Sequence, residues 1–307
     1  MAHWLLFALS APVLWAVSTH LDKYLVERYF KNTSVAVLLI FTALIGVLLL
    51  PVIWWFRPDA LSLPWPHALV VAGAGILYLA GLWFYLAALQ TAEASVVAPM
   101  FQGSVLFAYV LGYLVLGETL TATQTVGGLL IIAGAVLLSV GPRAHVGFKA
   151  RVVVLMLVCT FAIALSSLIF KVFAIRDEFW TTTLWMFVGE AAFGIALVAV
   201  PVYRATFVRL LRTSPAAVLS INAVNELINL AGGLGARYAL LLAPISLVQA
   251  VGSTTTLFVF LFGVLITVFL PRLGSEDLSR GSLARKAFAA AVVTIGVILL
   301  NGATTVN

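Results

Sequence analysis

Charged residues are scarce in this sequence. Asp, Glu, Lys and Arg together make up 9% of the 307 residues, whereas 63% are hydrophobic and the mean hydropathy is +1.16. A soluble domain has roughly a quarter of its residues charged, so this composition excludes one. The long continuous apolar runs fit membrane-spanning helices of about 20 residues rather than the alternating strands of a barrel. We therefore predict an all-α integral membrane protein.

The residue types that build metal and redox centres are also few. A single cysteine, Cys159, excludes an internal disulfide and a cysteine-based metal cluster. The four histidines are scattered along the sequence, so we expect no metal and no cofactor. The sequence contains no GxxxxGK(S/T) phosphate loop, which excludes ATP hydrolysis by this chain. The net charge of +6 comes from basic residues in short connections, which indicates membrane orientation rather than a nucleic-acid partner.

Ten apolar segments are long enough to cross a bilayer as helices. We place them at about residues 3–22, 34–56, 67–89, 94–116, 121–140, 150–174, 181–203, 215–239, 243–270 and 285–303. The connections between them are short and leave no room for a soluble domain. The longest polar interval, Pro271–Lys286, is expected to be a surface loop or a short interfacial helix.

The ten segments divide into two sets of five that share features in the same order. Ser18–Lys23, at the end of the first segment, is echoed by Ser166–Lys171 in the sixth. Later matches in the same order are Tyr85 with Tyr238 and the glycine-centred runs 131–137 and 293–299. Because five is odd, the two halves cross the membrane in opposite senses. We therefore predict one membrane domain of two inverted five-helix repeats, residues 1–145 and 146–307, which is typical of secondary transporters.

The first half of the sequence resembles a known family of membrane proteins. The features that carry the resemblance are Trp15–Ala16, Lys23 at the end of its helix, Gly117–Thr121, Gln124 and the run Leu130–Gly134. They are similar to those of EamA-type members of the drug/metabolite transporter superfamily. The second half departs from that pattern at Ile163, where a second tryptophan is expected, and around Glu276, where a long loop replaces the Gly-Glu turn.

This resemblance implies a ten-helix carrier or exporter of small metabolites. It places a central cavity among the first, third and fourth helices and their counterparts in the second half. It does not specify one substrate, because the superfamily handles many kinds of solute.

A polar stripe interrupts the eighth apolar segment, within Ser220–Gly235. Its members follow the i, i+3, i+4, i+7 spacing of one helix face: Asn222, Asn225, Glu226 and Asn229. A carboxylate inside the bilayer costs at least a few kcal/mol, so such residues normally face a wet cavity. We predict that the stripe lines a substrate pathway and that Glu226 takes up and releases a proton. Alternatively, Glu226 is held by hydrogen bonds to Asn222 and Asn229, or is paired with Arg237.

Several polar residues follow Pro244, which is predicted to open the ninth helix, among them Gln249, Ser253, Thr254 and Thr256. Gln249 and Ser253 share a face with each other and are expected to face the Glu226 stripe. Pro99 interrupts the fourth helix of the first half, and matched breaks in two halves indicate a binding site. Alternatively, a proline in the first turn of a helix is ordinary, and Ser253 bonds its own helix backbone.

Two aromatic and two basic residues complete the candidate site. Trp15 and Tyr85 could stack on a planar substrate, although single aromatic residues more often pack or anchor at the interface. Lys23 and its repeat counterpart Lys171 could bind an anionic group from opposite sides of the cavity. Alternatively, Lys23 extends to the membrane interface, as lysines near helix ends often do.

These observations together predict a secondary transporter or exporter rather than an enzyme. Its substrate is expected to be a small polar or amphipathic metabolite, amino-acid-like or drug-like, carried by alternating access with protons as one candidate coupling ion. The first alternative is a flippase of a lipid-linked or amphipathic headgroup. The second is an intramembrane enzyme, for which Glu226 and the distant His20 offer the one acid/base pair. We expect a multi-pass protein of the cell membrane, in contact with the lipid bilayer, and leave a homodimer open.

Basic residues are distributed unequally between the two predicted membrane sides. Thirteen of them fall on the side of the 1–2, 5–6, 7–8 and 9–10 connections, against four on the other. The positive-inside rule then places both termini outside the cytoplasm. The family resemblance implies the opposite, with both termini in the cytoplasm.

Overall fold

The computed structural model describes residues 3–28, 34–90, 97, 100–139, 150–269 and 280–302, and within them the chain is helical. The α-helices are α1 (His3–Arg28), α2 (Val35–Phe56), α3 (Trp65–Leu89), α4 (Gly103–Leu116), α5 (Ala122–Ser139), α6 (Ala150–Asp177), α7 (Phe179–Ala199), α8 (Pro201–Thr213), α9 (Ala216–Leu242), α10 (Ile245–Gly252), α11 (Thr255–Phe269) and α12 (Arg280–Gly302). A short 3-10 helix, Pro58–Ser62, joins α2 to α3. The all-α fold is thus confirmed for the described part of the chain.

Seven helices of the described residues are long and apolar enough to span a membrane. They are α1, α2, α3, α6, α7, α12 and the α10–α11 segment, counted as one. An eighth is added if α8 and α9, bent by 118° between Pro201–Thr213 and Val218–Leu242, form one span. The helices α4 and α5 are apolar but shorter. The chain is therefore a multi-pass membrane protein, and its described residues contain seven or eight full-length spans of the ten predicted.

Helix α8 is an element that the sequence analysis placed in a connection. Pro201 occupies its first turn, where a missing backbone N–H costs nothing. Its basic residues are Arg204, Arg209 and Arg212. Phe207 is buried, and its ring contacts Phe41 of α2 with centroids 5.0 Å apart. A short helix with a basic side and a buried aromatic side is typical of the membrane interface, which explains why apolar run length did not reveal it.

The ninth predicted helix, 243–270, is two helices rather than one. Pro244 precedes α10, as predicted, but a turn at Ser253–Thr254 then separates α10 from α11. There the backbone hydrogen bonds shorten to i→i+3, with Thr254 N–H donating to Val251 O at 2.9 Å and Leu257 N–H to Thr254 O at 2.9 Å. The break therefore lies inside the predicted segment, about one helical turn after the polar residue Gln249.

Helices of the first half pack mainly against helices of the second. Helix α1 packs along α9 and α11, α6 packs against α3 and α4, α2 packs against α7, and α5 packs against α12. At the α5–α12 contact two glycines oppose each other, and a Cβ on Gly127 would lie 2.9 Å from the carbonyl oxygen of Gly296. Small residues permit this close approach, which takes the place of a hydrophobic driving force inside lipid.

Some predicted features lie outside the described residues. They are Pro99, the repeat boundary at 145/146 and the part of the Pro271–Lys286 interval that contains Glu276. Residues 280–286 belong to α12, which begins five residues earlier than its predicted start at 285. The backbone of Lys23 is helical in α1, but its side chain is not among those that the structure describes.

Candidate substrate cavity

A cavity of about 470 Å³ lies between the two halves of the helix bundle. Its walls come from α1, α3, α4, α6, α9, α10 and α11, with additional residues from α2 and α7. The first set corresponds to the helices expected from the family resemblance and their counterparts. This volume lies within the range of small-molecule binding sites, roughly 300–1,000 Å³.

Glu226 lines this cavity from α9 and is almost fully enclosed, with 7% of its surface exposed. The Thr42 hydroxyl of α2 donates to Glu226 Oε1 at 3.2 Å. The second carboxyl oxygen, Oε2, is buried and has no hydrogen-bond partner among the described residues. Neither the pairing with Arg237 nor the hydrogen bonds to Asn222 and Asn229 considered from the sequence are present among these contacts.

The polar stripe of α9 is divided between the cavity and the α1–α9 contact. Asn229 lines the cavity, and its backbone carbonyl accepts a hydrogen bond from Trp15 Nε1 at 3.4 Å. Asn225 is fully buried and donates through Nδ2 to Asp22 Oδ1 at 2.6 Å. Asn222 is buried but is not among the lining residues. The stripe thus supplies a cavity wall at one end and ties α9 to α1 at the other.

Asp22 lines the cavity from the C-terminal part of α1, although the sequence analysis gave it no role. The sequence did contain a signal, because Asp22 is a carboxylate within the predicted apolar segment 3–22, which is the same feature that indicated Glu226. Asp22 is the last residue of that predicted segment, and only the neighbouring helices make its position part of a cavity wall.

Arg237 is paired with Glu190 of α7, which the sequence analysis also missed. Arg237 Nη2 lies 2.5 Å from Glu190 Oε1, and the two side chains are 12% and 5% exposed. The guanidinium stands 4.8 Å from the ring centroid of Phe187 and 5.8 Å from those of Tyr78 and Phe170. Glu190 carried the same signal as Glu226, a lone carboxylate inside an apolar helix.

Four further residues predicted from the sequence line the cavity: Trp15, Tyr85, Gln249 and Ser253. Tyr85 packs edge-to-face on Phe101, with centroids 5.4 Å apart. Gln249 Nε2 donates to Ser167 Oγ at 3.1 Å, and Ser253 Oγ donates to Gln102 Oε1. Gln102 lies in the turn before α4 and Ser253 in the turn before α11. The interrupted helices of the two halves therefore meet at the cavity.

Lys171 does not line the cavity. Its ammonium donates to Glu118 Oε1 at 2.5 Å and to the backbone carbonyl of Ala243 at 2.6 Å. Glu118 Oε2 also accepts from Ile245 N–H at 2.8 Å, at the start of α10. Glu118 belongs to the Gly117–Thr121 motif, so this motif joins α4, α6 and α10. The anion-binding partner predicted for Lys23 is thus bound to a carboxylate of the protein.

The Glu118 end of the bundle is closed by further polar contacts. We use this name for the end where Glu118, the C-terminus of α6 and the 3-10 helix lie. Arg57 pairs with Glu178 at 2.8 Å, and His67 Nδ1 lies 3.1 Å from Asp177 Oδ2. Trp185 Nε1 donates to Ala60 O at 3.0 Å. The cavity instead extends toward the opposite end, the α8 end, where Asp22 and the C-terminal half of α3 lie.

Comparisons with known proteins agree with this architecture. Residues 2–140 match the model of the EamA-like transporter family. A solved crystal structure, titled only as that of a protein, is similar with a TM-score of 0.68 over 96% of this chain and 95% of that chain. At 19% identity this likeness shows the fold alone. The comparison with curated protein sequences found no match. The resemblance predicted from the sequence is thus confirmed over the first half, where residues 2–140 match the EamA-like family of membrane transporters.

Proposed function

We propose that this protein is a secondary transporter or exporter of a small polar or amphipathic metabolite in the cell membrane. The observation that carries the proposal is Glu226, a buried carboxylate on the wall of a cavity between the two halves of the bundle, with one oxygen that has no hydrogen-bond partner among the described residues. Charged groups inside a membrane protein mark substrate or proton pathways by default. The amino-acid-like or drug-like size of the substrate follows from the cavity of about 470 Å³.

The helix contacts support an inverted repeat of ten segments, 1–145 and 146–307. The α1–α9 contact pairs the first segment with the eighth, and the α3–α6 contact pairs the third with the sixth. Likewise, the α1–α11 contact joins the first segment to the ninth, and the α4–α6 contact joins the fourth segment to the sixth. The α2–α7 and α5–α12 contacts each join a segment to its equivalent in the other half. A two-fold relation between five-helix halves produces this reciprocal pattern. In this proposal α4, α5 and α9 complete the ten spans.

Alternating access then requires the Glu118 end to open while the α8 end closes. Opening separates Lys171 from Glu118 and Arg57 from Glu178, which releases the start of α10 from the α4–α5 connection. The turns at Gln102 and Ser253 lie where the two halves would move against each other. Short non-helical turns are the usual sites that absorb such backbone changes.

Proton coupling through Glu226 is part of this proposal. An enclosed oxygen without a donor is costly unless it binds a proton or a cation, so Glu226 is suited to exchange the two. Polar groups near it are the Thr42 hydroxyl and the other cavity residues Asp22, Glu190 and Arg237. The proton would be released when a cation or water reaches the carboxylate.

The alternatives draw less support from the contacts. A flippase of anionic headgroups would use Lys171, which is occupied by Glu118 and Ala243. An intramembrane enzyme would need an acid/base pair, but His20 is bound at Val259 O at 3.0 Å and is not among the lining residues.

Solute counterflow in proteoliposomes tests the proposal. Vesicles preloaded with unlabelled solute should accumulate the labelled solute saturably, across a panel of cationic, neutral, zwitterionic and anionic compounds. Conversion of a solute without translocation would support an enzyme instead. Redistribution of labelled lipid between leaflets, with no solute counterflow, would support a flippase.

A further inference from the structure

We infer that the cavity selects substrates that carry a cationic nitrogen on an aromatic or apolar body. This inference names the substrate class and rests on the proposed transport function. It depends on the charge balance of the described cavity wall, on the oxygen of Glu226 that has no hydrogen-bond partner among the described residues, and on the aromatic composition of the wall.

The charge balance of the described cavity wall is negative. Its charged side chains are Asp22, Glu190, Glu226 and Arg237. Arg237 and Glu190 neutralise each other at 2.5 Å. Two carboxylates, Asp22 and Glu226, therefore remain without a basic partner among the described lining residues. An anionic substrate would meet uncompensated like charge, whereas a cation would compensate it.

Glu226 provides the more enclosed of these carboxylates. Its Oε1 accepts from the Thr42 hydroxyl, and its buried Oε2 accepts from no described group. Asp22, by contrast, is exposed to the cavity and already accepts from Asn225. An ammonium group can occupy the place that a proton otherwise takes at Glu226, because both satisfy the same oxygen. The two carboxylates lie on neighbouring helices, α9 and α1, joined by the Asn225–Asp22 hydrogen bond.

Aromatic rings surround the rest of the cavity. The lining rings are Trp15, Tyr78, Tyr85, Phe101, Phe170 and Phe187. Aromatic faces attract cations, and the attraction is stronger where water is excluded. The protein's own guanidinium at Arg237 shows this use, since it lies within 5.8 Å of three of these ring centroids. The rings would thus contact the planar or apolar body of the substrate, and the carboxylates would bind its charged nitrogen.

Zwitterions are disfavoured for the same reason as anions. A carboxylate of the substrate needs a basic group, but of the basic side chains that the structure describes here, Arg237 is paired with Glu190, and Lys171 lies outside the cavity, paired with Glu118. The uncharged Gln249 and Ser253 can bond a hydroxyl or amide on the substrate. The substrate class is thus protonated amines and guanidines, whose N–H groups can donate to Glu226, rather than free amino acids.

Calorimetric binding to the purified full chain in detergent tests this inference. The probes share one phenyl-ethyl body: 2-phenylethylammonium as the cation, 3-phenylpropanoate as the anion and L-phenylalanine as the zwitterion. The cation should bind at least about tenfold more tightly than the other two. Glu226→Gln should weaken the cation by about tenfold or more, since an opposed charge is removed from an enclosed site. Asp59→Asn, an exposed carboxylate on the 3-10 helix, should leave binding unchanged.

A second variant keeps the test valid if Glu226→Gln does not fold. Asp22→Asn changes an exposed carboxylate and should also weaken the cation relative to wild type. Equal or tighter binding of the anion or zwitterion, no measurable binding of the cation, or an unchanged cation affinity in both variants would overturn the inference. Cation binding without counterflow would count against transport but not against selectivity. Preferential counterflow of the anion or zwitterion would leave transport intact and overturn the selectivity.

Discussion

Lys171 and Glu118 form an ion pair at the closed end of the cavity, with Nζ 2.5 Å from Oε1. The pair does more than join two helices, because Lys171 also holds the Ala243 carbonyl and Glu118 also holds the Ile245 amide. These are the last and first groups around the α9–α10 connection. One ion pair therefore links the EamA-type motif of the first half to the beginning of the interrupted helix in the second.

Breaking this pair should favour opening at the Glu118 end. Glu118→Gln keeps the shape of the side chain but removes the charge opposite Lys171. Both side chains are enclosed, with 13% of Glu118 and 8% of Lys171 exposed. We expect a loss of about 3 kcal/mol in stability, as for other buried pairs that lose one partner. A cysteine placed at Leu240, which lines the cavity, should become reactive from this end in a Cys159→Ala background.

The matched control is Arg57→Gln, which breaks the more exposed pair with Glu178, at 44% and 39%. Exposed ion pairs contribute about 0–1 kcal/mol, so its stability should change little. Unchanged labelling of Leu240→Cys in Glu118→Gln would contradict the assignment of this pair as a closing contact.

Removing Glu190 alone should destabilise the protein more than removing both Glu190 and its partner Arg237. Glu190→Gln leaves the Arg237 guanidinium uncompensated among three aromatic rings, which should cost about 3–5 kcal/mol. The double variant Glu190→Gln with Arg237→Gln should recover a large part of that loss, because neither member of the pair is then left buried without its partner. Thermal unfolding of the purified variants measures both. Additive losses would show that the two side chains do not act as a pair.

Glu226→Gln should uncouple transport from a proton gradient. An amide has nearly the shape of a protonated carboxyl but cannot release a proton. We expect uptake driven by a pH gradient to be lost in proteoliposomes, while counterflow at saturating solute continues without the gradient. Asp59→Asn should respond to the gradient like wild type. If uptake in Glu226→Gln responds to the pH gradient as in wild type at all pH values, proton coupling does not depend on this residue.

Two adjacent glycines of α5 should respond differently to one methyl group. A Cβ on Gly127 would lie 2.9 Å from Gly296 O and 3.0 Å from Leu300 Cδ2, so Gly127→Ala forces α5 and α12 apart. We expect a loss of about 1–3 kcal/mol, the usual cost of overpacking. Gly128→Ala meets only Ala250 Cβ at 3.9 Å and should be neutral or slightly stabilising. Equal melting temperatures for the two variants would contradict this close helix contact.

The distribution of basic residues predicts that the α8 end faces the cytoplasm. In a Cys159→Ala background, Arg209→Cys in α8 should react with an impermeant thiol reagent only after the membrane is opened. Asp59→Cys, on the 3-10 helix at the Glu118 end, should react in intact cells. The reverse pattern would favour the orientation implied by the family resemblance, with both termini inside.

The residues of α9 show how far periodicity can lead. Helical spacing was sufficient to place Glu226 and Asn229 on one face, and bilayer energetics were sufficient to turn that face toward a cavity. The same spacing grouped Asn225 with them, yet Asn225 bonds Asp22 of α1. A stripe is wide enough to touch both a cavity and a neighbouring helix, and the position of that helix decides which residues do which.

The sequence by itself determined the membrane class, the apolar segments, the EamA resemblance and the unusual polarity of α9, because these depend on composition and on contacts within about one helix turn. The tertiary structure decided which charges meet. Arg237 pairs with Glu190 rather than Glu226, and Lys171 with Glu118 rather than with a substrate. These partners lie on different helices, and ion pairing depends on distances in space that helical periodicity along one segment does not contain.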